Sequence, residues 1–356
     1  MSIRAILRLI AVAVPLCVVG PAALGVPLPT TNQTTAAQAS SGPGSNNPLL
    51  CRTPYGDAPQ PPAPLSPNGK LDYRNSCVLL GGQRLNWTDR DLTLRHACLI
   101  TPRNASVLRP LPLVVWFTPS LAPMNIIRQT NVYSQRNTAD LTGDPLRQGF
   151  VLLIPEPREI QHVYPWPDQK GFGWDNWYRN LDRSSPTLNV DVAAIDQFIN
   201  TAESNGNVDE NRVYLAGWSD GAAFAELYAL NTPSIAAAAV YSAPAPFSDI
   251  NDPCWQSPFV TYATPIYDLH NACDIEGTCQ TASQFHDEIA SEFPQVEQQA
   301  VIVQRATGRT VSRCDATCGP GAPFSYSTGI AEHRVWPFRR TRDMFDFMRS
   351  NPLKGR

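Results

Sequence analysis

Charge is scarce in this sequence, and so are clustered metal ligands. Asp, Glu, Lys and Arg make up 17% of the residues, and the formal net charge is −3. A chain this close to neutral offers no basic surface for a phosphate backbone, so nucleic acid is not expected as a partner. The nine cysteines include no paired C-x-x-C clusters with histidine at zinc-site spacing. Disulfides are therefore expected, and neither a metal nor another cofactor is.

Apolar runs long enough to cross a membrane are missing as well. The run at 9–20 is interrupted by Pro15, whereas a membrane helix needs roughly 18 apolar residues or more. Small residues follow at 23–25, where a signal peptidase cleaves, so residues 1–25 are predicted to be a secretory signal peptide. The mature protein is then expected to be secreted and extracellular, without a membrane partner.

The 34 prolines are about twice the usual share, and many lie between the signal peptide and the first apolar periodicity. Residues 26–70 are rich in Pro, Ser and Thr and have few apolar anchors. Such a composition buries too little surface to offset the entropy of ordering, so a linker or tail is predicted here. Cys51 is expected to attach its later half to the domain that follows.

Disulfide pairing cannot be derived from the cysteine positions. Cys273 with Cys279 and Cys314 with Cys318 are close enough for local bridges, but proximity is the only ground and other connectivities stay open. Glycosylation at Asn-x-Ser/Thr sequons would fit a secreted eukaryotic protein. Three such sequons occur, at Asn32, Asn86 and Asn104.

From residue 71 onward, short apolar runs alternate with segments of helical period, which is typical of a parallel sheet with crossover helices. Candidate strands lie at 94–100, 111–117, 150–154, 212–216, 236–241, 265–269 and 300–304. Candidate helices lie at 188–199, 222–230, 282–292 and 338–349. In the first helix Asp191 and Asp196 fall outside the apolar stripe. One α/β domain over 71–356 is predicted, with a mostly parallel central sheet and helices on both faces.

A G-x-S-x-G segment at 217–221 connects the candidate strand 212–216 directly to a helical segment. Strand, G-x-S-x-G and helix together form the context of a nucleophile elbow. The glycines avoid clashes in a strained turn, and the helix presents its positive end to a developing oxyanion. The bare pattern recurs by chance, but with both flanks present Ser219 is predicted to be a nucleophile.

A serine nucleophile needs a base, which this arrangement supplies later in the chain. Three histidines follow Ser219. His333 lies after the last predicted strand and before the last helix, where the base is expected. His270 closes a strand, and His286 lies in a helix, where a solvated or packed histidine is the ordinary explanation. His333 is therefore the predicted base.

The orienting carboxylate comes between the serine and the histidine in chain order. Asp274 follows the candidate strand 265–269 by a short loop, whereas Asp268 lies inside that strand. Asp274 is the predicted acid, and Glu276 is the alternative.

From roughly residue 75 to the end, the chain resembles the secreted polyhydroxybutyrate depolymerase and feruloyl or acetylxylan esterase group of α/β-hydrolases. Residues 211–221 resemble the elbow of that family, 269–274 is similar to its His-Gly-x-x-Asp around the acid, and 333–337 resembles its His-x-Trp-Pro around the base. The resemblance implies an α/β-hydrolase fold. It also implies a serine esterase that acts through an acyl-enzyme on feruloyl or acetyl esters of plant cell-wall polysaccharide, or on short-chain polyester.

One segment departs from that family. Where the family has a His-Gly segment that supplies the second oxyanion donor, this chain has Thr118, Pro119 and Ser120. Pro119 has no N–H to donate. The Asp220 N–H remains as one donor, and Thr118 or Ser120 is expected to supply the second. The departure keeps a non-catalytic binding protein on the same scaffold as an alternative, with an aminopeptidase as a weaker one.

Tryptophans are predicted to form the substrate site. The segment that contains Trp174 and Trp177 follows the carboxyl end of a strand, the edge where α/β sheets place ligands. The resembling family carries a Trp-rich motif at this place. Trp218 and Trp336 flank the predicted nucleophile and base, so they are expected to line the same pocket. The alternative is that these rings only pack the core.

Overall fold

A computed structural model describes residues 73–162, 169–176, 180–246, 262–274, 277–304, 309–315 and 333–353. These residues belong to one compact unit that spans 39–356. The predicted signal peptide and linker lie outside the described residues. The same holds for Asn32, Cys51, Trp177, Glu276 and Cys318.

The described strands are β1 (Gln83–Thr88), β2 (Leu94–Ile100), β3 (Leu111–Phe117), β4 (Val151–Pro155), β5 (Arg158–His162), β6 (Gln169–Gly173), β7 (Val208–Trp218), β8 (Ala237–Tyr241), β9 (Ile266–Asn271), β10 (Gln298–Gln304) and β11 (Arg309–Val311). Nine of these strands form one sheet in the order β1-β2-β4-β3-β7-β8-β9-β10-β11. The strands from β4 to β10 in that order pair in parallel, while β1, β2 and β11 pair antiparallel. β5 and β6 form a separate antiparallel pair.

The described helices are α1 (Tyr73–Leu79), α2 (Val132–Gln135), α3 (Val190–Glu203), α4 (Asp220–Ala229), α5 (Cys279–Glu292) and α6 (Thr341–Ser350). They cover both faces of the sheet. Buried side chains of α3, α4 and α5 share a core with Leu113 and Val115 of β3. Side chains of α6 share the opposite core with Val114 and Trp116. Because side chains alternate along a strand, each central strand is buried on both faces.

The predicted strands and helices are confirmed, with ends that differ by a few residues. Continuous apolar runs identified the central strands because strands buried on both faces carry apolar residues at every position. The strands that sequence reasoning missed are β1, β5, β6 and β11. For β1 and β11 the reason is visible, since most of their positions are exposed or half-buried and carry no apolar pattern.

Both local disulfide predictions are wrong. Cys77 bonds to Cys98 across 21 positions, and Cys279 bonds to Cys314 across 35 positions. The first bridge ties α1 to β2, and the second ties the start of α5 to the segment after β11. Cys273 is in a disulfide too. The pairs are therefore set by the packing of elements that are distant in sequence.

Two of the three sequon asparagines can be placed on the surface. Asn86 on β1 and Asn104 after β2 are both exposed, which leaves glycosylation as a prediction that their position permits. Among the described residues, no helix is long and apolar enough to cross a membrane.

Candidate active site

Ser219 lies in the sharp turn between β7 and α4. Its φ of 57° and ψ of −127° are unfavourable for a non-glycine residue, as a nucleophile elbow requires. The flanking glycines make the turn possible. A Cβ on Gly217 would lie 2.5 Å from the carbonyl oxygen of Gly221, and one on Gly221 would lie 2.7 Å from the carbonyl carbon of Phe117. The elbow is thus packed directly against the end of β3.

Gly221→Ala is expected to lower the free energy of unfolding by about 3 kcal/mol, because the methyl group meets backbone that cannot move aside. Gly81→Ala is the matched control, since Gly81 has a φ of +72° and nothing within 4 Å of its Cβ position. The control Gly81→Ala should lower the free energy of unfolding by only about 1 kcal/mol. Denaturant unfolding of both variants measures the difference, and equal losses would show that the elbow tolerates a side chain.

The structure brings the predicted nucleophile, base and acid together. Ser219 Oγ lies 2.7 Å from His333 Nε2, and His333 Nδ1 lies 3.0 and 3.1 Å from the two carboxylate oxygens of Asp274. The three residues are 9%, 5% and 0% exposed, respectively. Burial excludes water that would compete for these hydrogen bonds, and Ser219 is the most exposed of the three residues. This order of contacts is that of a Ser-His-Asp triad.

Backbone hydrogen bonds hold the base and the acid in place. The indole N–H of Trp218 donates to the His333 carbonyl at 3.0 Å, which ties the base to the residue before the nucleophile. The Gly277 N–H donates to a carboxylate oxygen of Asp274 at 3.1 Å, and the Asp274 N–H donates to the Asn271 carbonyl at 3.2 Å. Asp274 therefore lies on the short loop that follows β9, and its role as the acid stays a prediction.

The other two downstream histidines have different surroundings. His270 lies inside β9, with Nδ1 2.9 Å from a carboxylate oxygen of Asp268 and Nε2 2.9 Å from the Ala243 carbonyl oxygen. Burial lowers the pKa of His270, but the Asp268 carboxylate more than offsets it and the net shift is upward. His286 lies on α5, with Nδ1 3.3 Å from an Asp287 carboxylate oxygen.

One polar contact of the site was not predicted from the sequence. Ser242, directly after β8, donates a hydrogen bond to Asp274 Oδ2, and its Oγ lies 2.8 Å from His333 Nδ1. A serine at the end of an Ala-rich strand carries no motif. Only the pairing of β8 beside β9 places its hydroxyl at the acid.

Two of the predicted oxyanion donors, Thr118 and Asp220, lie at the elbow. The Thr118 carbonyl oxygen is in close contact with the Gly221 backbone and accepts a hydrogen bond from the Trp174 indole at 2.8 Å. The Thr118 side chain is fully buried, and its hydroxyl has no hydrogen-bond partner within the described part of the chain. Ser120 is half-buried. Asp220 is the first residue of α4, so its N–H belongs to the positive end of that helix.

Of the four tryptophans predicted to form the substrate site, the three in the described part of the chain are core residues. Trp174 is 3% exposed and stacks on Phe224. Trp218 and Trp336 are 4% and 3% exposed and pack against each other and Tyr241. The prediction that these three rings line a substrate pocket finds no support in their burial. Aromatic side chains bury much area wherever they lie, and the sequence does not separate that role from ligand binding.

The Asp220 carboxylate has a clear structural role. It accepts hydrogen bonds from the Trp174 N–H at 2.9 Å and from the Asn176 side-chain amide at 2.8 Å. The residue after the nucleophile therefore anchors the segment 174–176 beside the elbow.

A buried ion-pair network holds the other side of the same segment. Arg158 donates to the Asp175 carboxylate at 3.0 Å, and the Asp175 N–H donates to the Asp191 carboxylate at 2.7 Å. Asp191 also pairs with Arg95. Burial, with Asp191 nearby, raises the pKa of Asp175 to about 7. No group of three or more His, Cys, Asp or Glu side chains in the described residues is arranged to hold a metal ion.

Glu156, which follows β4 beside Arg95, makes stability depend on pH. Burial raises the pKa of its carboxyl group to about 8, although Arg95 opposes the shift. The folded state therefore holds a proton that the unfolded state releases at its lower pKa, near the model-peptide value of about 4.3. The stability contribution is complete below that value and is lost as pH rises towards 8.

Glu156→Gln is expected to flatten this decline by a few kcal/mol between about pH 5 and pH 8, because the amide stays neutral. Unfolding free energies at several pH values provide the measurement. Glu292→Gln is the matched control, since Glu292 is an exposed carboxyl group at the end of α5. The account of Glu156 is contradicted if the unfolding free energy of Glu156→Gln falls with pH as steeply as that of the wild type.

The sheet order and the elbow between β7 and α4 define the class of the protein, an α/β-hydrolase fold. Residues 96–251 match the family described as esterase PHB depolymerase. Over this segment, which is less than half of the chain, the protein is similar to that esterase family. The matched part contains the elbow and Ser242 but ends before Asp274 and His333.

Comparison with solved structures gives matches at low identity. S-formylglutathione hydrolase from Agrobacterium tumefaciens is 12% identical, with 77% of this chain and 97% of that chain covered and a TM-score of 0.50. A thermostable esterase is 16% identical over 76% of this chain and 63% of that chain, with a TM-score of 0.46. Pyrococcus horikoshii acylaminoacyl peptidase is 14% identical, with 77% of this chain and 42% of that chain covered and a TM-score of 0.46. The chain thus covers less than two thirds of the latter two. The comparison with curated proteins gives no match.

Proposed function

We propose that this protein is a secreted serine esterase that hydrolyses carboxylic esters through an acyl-enzyme. The observation that carries the proposal is the continuous chain of contacts from Ser219 Oγ through the His333 ring to the Asp274 carboxylate. The match to an esterase family over the segment that holds the nucleophile supports an ester as the substrate.

Each residue has one role in the proposed reaction. His333 Nε2 takes the proton of Ser219 Oγ as that oxygen attacks the ester carbonyl carbon, and Asp274 accepts the Nδ1–H and stabilises the imidazolium ion. Nε2 then returns the proton to the leaving alcohol. A water molecule then attacks the acyl carbonyl carbon while Nε2 takes its proton. The ester bond to Ser219 breaks, Nε2 returns the proton to Ser219 Oγ, and the carboxylic acid is released. No cofactor takes part in these steps.

The tetrahedral intermediate needs hydrogen-bond donors for its oxyanion. The Asp220 N–H at the start of α4 is the proposed first donor, because the helix N-terminus favours negative charge there. Thr118 or Ser120 is the proposed second donor. The Thr118 hydroxyl supports this assignment, since it is buried beside the elbow with no hydrogen-bond partner among the described residues. Loss of one such donor costs about 10²-fold to 10³-fold in turnover.

The proposed substrates are feruloyl or acetyl esters of plant cell-wall polysaccharide, or a short-chain polyester. Release of ferulate, acetate and 3-hydroxybutyrate from the corresponding substrates distinguishes them, with Ser219→Ala as the control for each. Release of at least one acid by the wild type alone supports the proposal. Equal release by wild type and Ser219→Ala contradicts it.

Secretion is part of the proposal. The disulfides Cys77–Cys98 and Cys279–Cys314 fit an oxidising compartment. The apolar N-terminal run and the sequons are consistent with a secreted glycoprotein. Nucleic acid and membranes are not proposed as partners.

The second candidate is a non-catalytic binding protein on the same scaffold. It is motivated by the Thr118-Pro119-Ser120 segment, which replaces the His-Gly of the resembling family. A binding protein needs no hydrogen bond between Ser219 and His333, so the 2.7 Å contact favours the enzyme. Polysaccharide binding without reaction of Ser219 with a fluorophosphonate would favour the binding protein.

A further inference from the structure

We infer that Ser242 is a positioning residue that joins the Asp274 carboxylate to the His333 imidazole, so that three side chains, not two, form the hydrogen-bonded network behind Ser219. The inference rests on the proposed serine hydrolase function and adds a residue that no motif identifies. Ser242 does not touch the reacting atoms and acts through the base and the acid.

The hydrogen-bond chemistry of the three groups permits one productive arrangement. An ionised carboxylate only accepts hydrogen bonds, so the Ser242 hydroxyl must donate its single hydrogen to Asp274 Oδ2. Its lone pairs then face His333 Nδ1 at 2.8 Å, and Asp274 Oδ1 lies 3.0 Å from the same nitrogen. The Ser242 oxygen and both carboxylate oxygens of Asp274 therefore surround Nδ1 and hold the hydrogen there. Nε2 is left without a hydrogen, which is the tautomer that accepts the proton of Ser219.

The backbone fixes the hydroxyl in this position. Ser242 is fully buried, and its N–H donates to the Leu269 carbonyl of β9 at 2.8 Å. On the other side Gly277 is so close that a Cβ would lie 2.9 Å from the Ser242 carbonyl carbon. The next residue, Ala243, accepts a hydrogen bond from His270 Nε2 at 2.9 Å. These contacts fix the Ser242 backbone beside the acid, and the hydroxyl itself is held by its hydrogen bond to Asp274.

Ser242 also has a strained backbone. Its φ of 58° lies in the left-handed region, which glycine adopts without cost and other residues do not. Strain of this kind persists where the surrounding structure demands it, and it concentrates at functional sites. Of the five non-glycine residues with positive φ in the described part of the chain, the two serines are Ser219 and Ser242. A glycine at 242 would remove the strain but would also remove the hydroxyl.

Ser242→Gly removes both the hydroxyl and the backbone strain, and the two effects are measured separately as kcat and melting temperature. We expect kcat for a p-nitrophenyl ester to fall roughly 10-fold to 100-fold, the factor for loss of one hydrogen bond to a charged group. KM should stay within about twofold, because Ser242 does not contact substrate. The melting temperature should not fall, because the strain is relieved. A merely structural serine predicts the reverse, a lower melting temperature with kcat unchanged.

Two further variants control this experiment. Leu92→Gly relieves a φ of 60° at an exposed position in the turn between β1 and β2, so it should leave kcat at the wild-type value. Ser242→Ala removes the hydroxyl but keeps the strain, so it should lose as much kcat as Ser242→Gly and have a lower melting temperature than that variant. If either Ser242 variant folds and keeps kcat within about twofold of the wild type, the inference is overturned.

A spectroscopic measurement keeps the inference separate from the proposed function. A hydrogen on His333 Nδ1 shared with a carboxylate should give a low-field proton resonance, assigned by its absence in His333→Gln. Ser242→Gly should shift that resonance, and an unshifted resonance contradicts the link. If the wild type hydrolyses no ester and Ser219 reacts with no fluorophosphonate, the proposed function fails, while the resonance still decides whether Ser242 holds the His333 hydrogen.

Discussion

Ser219→Ala is expected to lower kcat for a small p-nitrophenyl ester by roughly 10⁶-fold, the loss typical of removing a serine nucleophile. The reason is direct, because Ser219 Oγ is the attacking atom and lies 2.7 Å from the nitrogen that takes its proton. The variant should fold like the wild type, since one buried oxygen is removed and the backbone of the elbow is unchanged. Steady-state kinetics and thermal unfolding of the same preparation measure both quantities.

Ser350→Ala is the matched control for this variant. Ser350 is an exposed serine at the end of α6 whose hydroxyl donates to the Asp346 carbonyl oxygen at 3.0 Å. It should keep the wild-type kcat. Undiminished hydrolysis by Ser219→Ala in purified protein would remove the basis of the proposed mechanism.

Asp274→Asn is expected to lower kcat by about 10⁴-fold while the fold stays intact. The amide would place an N–H group opposite His333 Nδ1, which now faces a carboxylate at 3.0 Å. The ring would then carry its hydrogen on Nε2 and could not accept the proton of Ser219. The loss should appear in kcat, with little change in KM.

Glu226→Gln is a suitable control because it makes the same chemical change at another buried site. Glu226 is fully buried on α4, and burial and the nearby Asp268 raise the pKa of its carboxyl group well above its usual value, so this site disfavours a charge. The amide variant should therefore keep the wild-type rate. If Asp274→Asn retained a rate within about tenfold of the wild type, Asp274 could not be the acid, and Glu276 would be the next residue to replace.

The sequence predicts the fold well where burial leaves a simple pattern. β3 and β4 are buried along their whole length, and each was visible as an unbroken apolar run. Asp191 shows the limit of such patterns. Its position outside the apolar stripe of α3 predicted a polar face, but the side chain is fully buried and paired with Arg95, which lies 96 positions away. Only the tertiary structure supplies that partner.

The candidate site likewise contains residues that local motifs predict and residues that only the tertiary structure places. Ser219, Asp274 and His333 were predicted from the sequence because each sits in a local motif and the motifs follow in the expected order, and the structure brings the three side chains into contact. Ser242 was missed because its role comes from the pairing of β8 with β9. The pairing of Cys279 with Cys314 was missed for a similar reason. Local motifs identify the reacting groups, whereas the groups that hold them in place depend on contacts between distant segments.

Reaction with a fluorophosphonate probe, followed by peptide mapping, tests the central claim most directly. Such probes report an activated serine and need no knowledge of the natural ester. The account predicts covalent labelling at Ser219, none in Ser219→Ala, and strongly slowed labelling in Asp274→Asn. Absence of labelling in the folded wild-type protein, or labelling at a serine other than Ser219, would contradict it.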